Sequence, residues 1–271
     1  MNSQDNYIYD PKSKIEKERL RERDKRTSTR RSFALDDIDF SDIHNVLDVG
    51  CGDGVVGFDL LSRSTNASLV GIDVEPTILE EANSKSPDGF ICDFVASDGT
   101  NLPFASSTFS MVTCQYVLQH VSNPIHFLEE MRRVSCSNAK AVVFEWDDGV
   151  NFSYPPMPEE LNKLFQAKVL LIHDKGGDRY IGRKLYHHLH SAGWRDIDIK
   201  IIHDVWQGPA DRKKALKGTE LSLIELKPQL IKNNLIKEDE FDLALQQLFE
   251  YYSSDIFSVA FFFAGFGVNP G

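Results

Sequence analysis

The sequence has little of what marks a secreted, membrane-spanning or metal-binding protein. Its four cysteines are far apart and form no CxxC pair: Cys51, Cys92, Cys114 and Cys136. Such spacing is typical of reduced thiols, and it favours neither disulfides nor a metal site. The first ten residues, MNSQDNYIYD, lack the apolar core of a signal peptide. The most apolar run, residues 259–268, is shorter than the roughly 20 residues that a membrane span needs. We therefore expect a cytoplasmic protein with no metal and no membrane span.

Positive charge is also scarce outside one segment. The 271 residues contain 30 Lys and Arg against 41 Asp and Glu, which gives a net charge of −11. A general nucleic-acid binder needs a basic surface to neutralise phosphates, so we do not expect nucleic acid as a partner. Residues 12–31 are the exception, with ten Lys and Arg against four Asp and Glu. The length and the 41% hydrophobic content suit one core domain with helical additions.

What the chain does contain is a glycine-rich stretch at residues 46–57, VLDVGCGDGVVG. Residues 46–49 predict a buried strand, and residues 58–61 predict the beginning of a helix. The glycines between them allow positive φ angles and a close approach to a ligand. The helix N-terminus adds free N–H groups, and Asp48 adds a negative charge beside the turn. Together they predict one half of a nucleotide-binding βαβ unit.

Two kinds of ligand suit this turn. The pattern Gly52-x-Gly54-x-x-Gly57 fits a dinucleotide fingerprint, in which the helix N-terminus holds a pyrophosphate. A carboxylate before the turn suits instead a ligand with an ammonium group, such as S-adenosylmethionine. The string Asp48-x-Gly50-x-Gly52-x-Gly54 resembles motif I of the class I S-adenosylmethionine-dependent methyltransferases. This resemblance implies that the amino-acid end of the cofactor lies near five residues: Asp48, Gly50, Cys51, Gly52 and Gly54.

The next two predicted strands both end at acids. Residues 69–73 predict a strand that ends at Asp73, where a carboxylate can accept hydrogen bonds from both ribose hydroxyls of either ligand. Val74 follows and could pack against adenine. Residues 90–96 predict the third strand, which precedes Asp98 and Gly99. The resemblance implies that this pair reads the adenine edge, although a simple turn is the alternative. The string Leu-Pro-Phe that follows at 102–104 also resembles the class I pattern and is unexplained in a dinucleotide fold.

Residues 109–114 predict a fourth strand. Because the carboxyl ends of strands line the ligand crevice of an open α/β sheet, we expect Cys114 and Gln115 beside the methionine part of the cofactor. His120 is a candidate general base, since the pKa of histidine lies near neutrality. A packing role for His120 is the alternative, and no other catalytic residue is assigned.

The basic N-terminal segment predicts a helix over residues 11–31. Three interpretations are open: a solvated helical face, a lid over the cofactor, and contact with RNA. The lid comes from a resemblance to small-molecule methyltransferases, whose N-terminal segment carries an aromatic residue and a Glu-x-x-Arg-Leu-like pattern. Tyr7, Tyr9 and residues 16–20 are similar to that pattern. The resemblance makes Arg19 a candidate contact of the cofactor.

The resemblance to class I methyltransferases, carried by several spaced motifs, implies a doubly wound α/β fold with a seven-stranded, mostly parallel sheet and helices on both faces. In that family the last strand, here residues 257–267, is antiparallel and lies between the fifth and sixth. We expect one domain over residues 1–271, with an N-terminal lid at 1–40 and the cofactor-binding half at 41–147. Helical insertions at 148–177 and 208–254 are expected on the substrate side, the second one interrupted by Pro228. A further helix is predicted over residues 180–192 and contains His187, His188 and His190. Its adjacent histidines point to different sides of the helix, so we do not expect them to bind one metal ion.

The pattern as a whole looks most like the small-molecule methyltransferases of ubiquinone and menaquinone biosynthesis. It implies methyl transfer from S-adenosylmethionine to an O, N or C atom of a small molecule, with S-adenosylhomocysteine as the product. An NAD(P)-dependent oxidoreductase, an RNA or protein methyltransferase, and a binding protein without turnover are the alternatives. The sequence specifies neither the acceptor nor the oligomeric state.

Overall fold

The computed structural model describes residues 8–10, 12–64 and 66–271. Tyr7, which belongs to the lid prediction, lies outside the described residues. The helices are α1 (Lys14–Leu35), α2 (Val55–Ser62), α3 (Pro76–Ser84), α4 (Pro124–Val134), α5 (Glu159–Asp174), α6 (Leu185–Ser191), α7 (Pro209–Lys232) and α8 (Glu238–Ser253). The strands are β1 (Asn45–Val49), β2 (Ser68–Asp73), β3 (Cys92–Ala96), β4 (Phe109–Gln115), β5 (Ser135–Trp146), β6 (Phe152–Tyr154), β7 (Arg195–Trp206) and β8 (Phe257–Val268).

The strands form one sheet in the order β3-β2-β1-β4-β5-β8, with β7 also paired to β8. Strands β1 to β5 are parallel to their neighbours, and β8 is antiparallel to both β5 and β7. The predicted doubly wound sheet with its antiparallel last strand is therefore confirmed. The predicted strand number was wrong by one, because β6 pairs with the start of β8 along the edge that β5 leaves after Trp146. This short strand satisfies backbone groups of β8 that would otherwise be unpaired.

Alternate strand residues pack into two cores, one on each face of the sheet. On one face Leu47 and Val49 pack in a cluster with residues of α4 and α6. On the other face Val46 packs with residues of α1 and α2. The alternation follows from the two-residue period of a strand. Both faces are covered, as a parallel sheet requires.

The two insertions form a helical cap with a core of its own. Buried residues of α5, α7 and α8 pack in one cluster, and Ile8 and Tyr9 of the N-terminal segment join it. The expectation that Pro228 interrupts the second insertion was wrong, because Pro228 lies inside α7. Its ring is at an exposed position, while the buried Leu226 and Leu230 hold the helix in the cluster on either side. Packing thus outweighs the loss of one helical hydrogen bond.

Three helix boundaries differ from the predictions. Helix α1 begins at Lys14 and continues to Leu35, because its last turn buries Ala34 and Leu35 against the sheet. Helix α2 begins at Val55 rather than at residue 58. The helix predicted over 180–192 is a 3₁₀ turn followed by α6. In the described part of the chain no helix is both long and apolar enough to cross a membrane.

Candidate functional site

A cavity of about 590 Å³ lies at the carboxyl ends of β1 to β4. Of the residues proposed from sequence as cofactor contacts, these line it: Gly50, Cys51, Gly52, Asp73, Val74, Asp98, Gly99 and Gln115. His120 lines it as well. The N-terminal segment supplies a further wall: Tyr9, Lys12, Glu16, Leu20, Arg23 and Asp24. The structure therefore brings most of the predicted site together in one place.

The glycine turn after β1 is held close to β2. The backbone N–H groups of Gly50 and Cys51 both donate to the carbonyl oxygen of Ile72, at 2.8 and 2.9 Å. Gly52 has a φ of +54°, and a Cβ atom built there would meet a single neighbour, Ile78 Cδ1 at 3.8 Å. The missing side chain of Gly52 therefore leaves open space along the cavity wall, where a ligand can approach the backbone.

Asp48 lies beneath the turn and outside the cavity lining, which corrects its expected place beside a ligand. Its carboxylate is buried, and its Oδ2 accepts a hydrogen bond of 3.0 Å from the N–H of Gly57 in the first turn of α2. Burial, with smaller contributions from the charges of Asp73 and Asp53, raises the pKa of Asp48 to about 7, although the Gly57 hydrogen bond and the charge of Arg31 oppose the rise. The helix N-terminus is thus already occupied by an acid.

Gly54 also lies outside the cavity lining. It is the N-cap residue of α2, with a φ of +84°, and its N–H donates to the carbonyl oxygen of Cys51. Gly54 therefore begins the helix, and it shapes the turn without lining the cavity.

Two acids at neighbouring strand ends face the cavity. Asp73 accepts hydrogen bonds from the N–H groups of Gly52 at 2.9 Å and Glu75 at 3.1 Å. Asp98 accepts from the N–H of Thr100 at 2.9 Å and from its hydroxyl at 2.8 Å. Burial raises the pKa of Asp73, while its three backbone hydrogen bonds oppose the rise. A carboxylate has about four acceptor positions, so both acids can accept further hydrogen bonds from a ligand.

Cys114 and Gln115 are divided between the two faces of β4. Gln115 lines the cavity, and its Oε1 accepts a hydrogen bond of 3.2 Å from Arg31. Cys114 is fully buried in the core beneath, so its expected place beside the cofactor was wrong. Successive side chains of a strand point to opposite faces, and only one of this pair can reach the crevice.

Arg19 reaches the site only through its partners. Its guanidinium binds both carboxylate oxygens of the buried Glu16, at 2.6 and 2.7 Å, and lies 4.0 Å from the centre of the Tyr9 ring. Glu16 and Tyr9 line the cavity, whereas Arg19 is not among the lining residues. The structure therefore places Arg19 behind the wall, where it fixes the orientation of two residues in front of it.

Helix α1 is anchored to the sheet by buried arginines. Arg31 donates to Asp59 at 2.8 Å and to Gln115, and Arg30 pairs with Asp204. Both arginines are buried, so the interpretation of this segment as a solvated face was wrong for its C-terminal part. Because Gln115 lines the cavity, its hydrogen bond with Arg31 also holds α1 against the site.

His120 lines the cavity from the segment after β4, and Tyr9 lines it from the N-terminal segment. Burial lowers the pKa of His120 well below its usual value, and nearby Arg and Lys charges lower it further. The imidazole is therefore neutral at pH 7. The Tyr9 hydroxyl and Ser222 Oγ are hydrogen-bonded at 2.8 Å, and Lys168 Nζ donates to the same Ser222 Oγ at 3.1 Å. No local sequence pattern marks Ser222 or Lys168, because the cap brings them here from distant helices.

Sequence comparison matches residues 47–143 to the methyltransferase-domain family. The chain is 30% identical over 146 residues to the ubiquinone/menaquinone biosynthesis C-methyltransferase UbiE of Citrifermentans bemidjiense, a match that covers 52% of this chain and 60% of that protein. It is 31% identical over 128 residues to a demethylmenaquinone methyltransferase of Paenarthrobacter aurescens, over 47% of this chain and 46% of that protein. The matches thus span about half the length of these curated relatives.

Solved structures show the same fold. The YcgJ protein of Bacillus subtilis superposes with a TM-score of 0.59 at 15% identity, over 90% of this chain and 99% of that one. A Haemonchus contortus phosphoethanolamine N-methyltransferase 2, in complex with phosphomonomethylethanolamine and S-adenosylhomocysteine, superposes with a TM-score of 0.56 at 14% identity, over 90% of this chain and 53% of that one. Residues 47–143 therefore match a methyltransferase domain, the chain is similar in sequence to methyltransferases of ubiquinone and menaquinone biosynthesis, and its fold is that of the superposed structures.

Proposed function

We propose that this chain transfers a methyl group from S-adenosylmethionine to a small-molecule acceptor. The observation that carries the proposal is the charge around the glycine turn. The carboxylate of Asp48 already accepts from Gly57 at the N-terminus of α2, and Asp73 and Asp98 face the same cavity. A pyrophosphate would be repelled by these acids, whereas a ligand with an ammonium and a sulfonium group would be attracted.

The residues present fit that cofactor. The open space at Gly52 gives an amino-acid group access to the backbone of the turn. Asp73 can accept from ribose hydroxyls, and Asp98 with the adjacent Gly99 can read an adenine edge. When bound, S-adenosylmethionine supplies a methyl carbon activated by its sulfonium, and S-adenosylhomocysteine remains once the acceptor has taken the methyl group. The contacts of these residues with the cofactor are part of the proposal.

The remaining tasks of the chain are positioning, water exclusion and proton transfer. Tyr9, Glu16 and Leu20 close the cavity from the side of α1, which supports a lid function for the N-terminal segment. His120 is neutral, so it can accept a proton from a hydroxyl or amine acceptor. It stays the candidate base. An activated acceptor would need no general base, because the positive charge of the sulfonium already activates the leaving group.

Calorimetric titration of the full chain with S-adenosylhomocysteine and with NADH tests the proposal. We expect binding of the first and none of the second. Asp73→Ala should weaken S-adenosylhomocysteine binding by roughly 1.5–3 kcal/mol, because hydrogen bonds to a charged group are lost. Asp93→Ala is the control, since Asp93 is an exposed residue of the adjacent β3. Binding of NADH alone would refute the proposal and favour an oxidoreductase.

Turnover needs a separate measurement. Incubation with radiolabelled S-adenosylmethionine and a metabolite extract should transfer label to a small molecule and release S-adenosylhomocysteine. Label found in protein or RNA would favour a macromolecular acceptor. Cofactor binding with no transfer to any fraction would favour a binding protein without turnover.

A further inference from the structure

Four basic side chains converge on the Tyr9 and His120 end of the cavity. Arg19 and Arg23 come from α1, Lys168 comes from α5, and Arg179 comes from the segment after α5. The charges of all four lower the pKa of His120, so each lies near it. We call this region the basic end. The cavity therefore adjoins a group of cations in addition to the acids at the strand ends.

Two of these four charges are already neutralised by carboxylates. Arg19 binds Glu16 through two hydrogen bonds, and Arg179 binds Asp148 through two hydrogen bonds of 2.8 Å. Each guanidinium and carboxylate forms a bidentate pair, which leaves little of either charge uncompensated. These two ion pairs therefore contribute structure to the basic end and little net charge.

The other two cations have no such carboxylate. Among the described residues, no Asp or Glu oxygen lies within ion-pair distance of Lys168 or Arg23. Within the described residues, the partner of Lys168 Nζ is the neutral hydroxyl of Ser222, at 3.1 Å. Arg23 lines the cavity, and its buried Nε has no hydrogen-bond partner in the described part of the chain.

Two further carboxyl groups nearby do not restore the balance. Asp24, which lines the cavity next to Arg23 in sequence, pairs with Arg31. Glu145 is fully buried at the end of β5, and burial raises its pKa to about 8, although a hydrogen bond from the N–H of Leu118 and the charge of Arg179 oppose the rise. At pH 7 this carboxyl group is mostly protonated. The basic end thus carries an excess of positive charge.

The charges of three of the four cations reach Tyr9. Burial raises the pKa of its phenol, yet Lys168, Arg19 and Arg179 together bring that pKa below the usual value. A buried tyrosine whose pKa falls lies in a strongly positive field. Tyr9 also lines the cavity, so the field extends into the space where an acceptor would lie.

We propose that the methyl acceptor carries an anionic group, a carboxylate or a phosphate, which lies at the basic end beside Tyr9 and His120. This inference rests on the proposed function and specifies its substrate class. Half-buried cations without a carboxylate partner are unfavourable, and a bound anion would compensate Lys168 and Arg23. Each ligand is then directed to its own part of the cavity, because the acidic turn repels the anion and the basic end repels the cationic cofactor.

Three matched probes test the anion directly on the full chain loaded with S-adenosylhomocysteine. They are 4-hydroxybenzoate, phenyl phosphate and the neutral 4-hydroxybenzamide, titrated by calorimetry at low ionic strength. We expect at least one anion to bind about ten-fold more tightly than the amide. The reason is that the attraction between opposite charges is only partly screened at an effective dielectric constant of about 20. Which anion binds more tightly identifies carboxylate or phosphate as the preferred group.

Variants on one helix locate the effect. Lys168→Met should remove most of the preference for the anion, and Lys168→Arg should retain it. Lys163→Met is the control, because Lys163 is an exposed lysine of the same helix that pairs with Glu159 and Glu160. S-adenosylhomocysteine affinity should change less than two-fold in all three. If Lys168→Met does not fold, Arg23→Gln tests the same excess charge.

The outcomes separate this inference from the proposed function. A chain that does not bind S-adenosylhomocysteine refutes both. A chain that binds it, but binds the amide as tightly as both anions, refutes only the anionic acceptor. An anion preference that survives in both Lys168→Met and Arg23→Gln also overturns the assignment, because the anion then lies elsewhere.

Discussion

At the scale of single residues, the most unusual groups are carboxyls buried at strand ends. Glu145 accepts a hydrogen bond of 2.7 Å from the N–H of Leu118, while its Oε2 has no partner among the described residues. Asp48 is similar, with Gly57 as the donor. Both have pKa values raised chiefly by burial. Such acids stabilise the fold while protonated and destabilise it once ionised.

Glu145→Gln should change the pH dependence of stability. The pKa of Glu145 rises from 4.5 to about 8 on folding, so between these pH values the folded chain holds a proton that the unfolded chain has released. Stability therefore falls as pH rises through this window. The stability difference between wild type and Glu145→Gln should move against wild type by more than about 1.4 kcal/mol from pH 5 to pH 8.5, the free energy of one pKa unit. Thermal unfolding at several pH values measures this.

The matched control is Glu80→Gln, because Glu80 is an exposed residue of α3. Its stability difference from wild type should stay constant over the same pH range. A constant difference for Glu145→Gln as well would show that Glu145 is ionised throughout, and the basic end would then lose part of its excess charge.

The sequence predicted the strand-end residues well and the basic end hardly at all. The positions of Asp73 and Asp98 could be predicted because each lies at the end of a recognisable strand, and parallel strands bring their carboxyl ends to one edge of the sheet. Tyr9 and Ser222 are separated by 213 positions, and only the packing of the cap brings them together. Cys114 was misplaced for a local reason, since the alternation of β4 already excludes one of two adjacent residues from the crevice.

At the scale of elements, α1 is the part of the wall whose position depends most on charge. Its Arg31 side chain is 2% exposed, and it bridges Asp24 of its own helix and Asp59 of α2. It also donates to Gln115 in the cavity wall. The helix is therefore fixed to the cofactor-binding half by a buried cation rather than by apolar packing alone.

Arg31→Met should destabilise the fold by about 2–3 kcal/mol, because Asp59 and Asp24 lose their common partner. The value lies below that of a fully buried pair, since these two carboxylates are 22% and 32% exposed. Denaturant unfolding measures the loss. Arg21→Met is the control on the same helix, where an exposed pair with Glu81 predicts a change under about 0.5 kcal/mol. Equal losses in both variants would contradict the anchoring role of Arg31.

At the scale of the whole molecule, the cavity lies between the carboxyl ends of the strands and the N-terminal segment. The glycine turn and the ends of β2 to β4 form one side, and α1 forms another. The helical cap, although it packs on Tyr9, contributes no lining residue among those described, so the substrate-side role of segments 148–177 and 208–254 stays a prediction. Its contribution to the site is indirect, through Lys168 and Ser222.

This arrangement predicts where a bound product stabilises the chain. At 100 times its dissociation constant, S-adenosylhomocysteine should add about 2.7 kcal/mol to the free energy of unfolding, which raises the midpoint by several degrees. Hydrogen exchange should show the added protection in α1 and in the glycine turn, because both line the cavity. Helix α8 is the internal control, since it lines none of it. Protection confined to the turn would mean that α1 is a fixed wall, and the lid over residues 1–40 would be wrong.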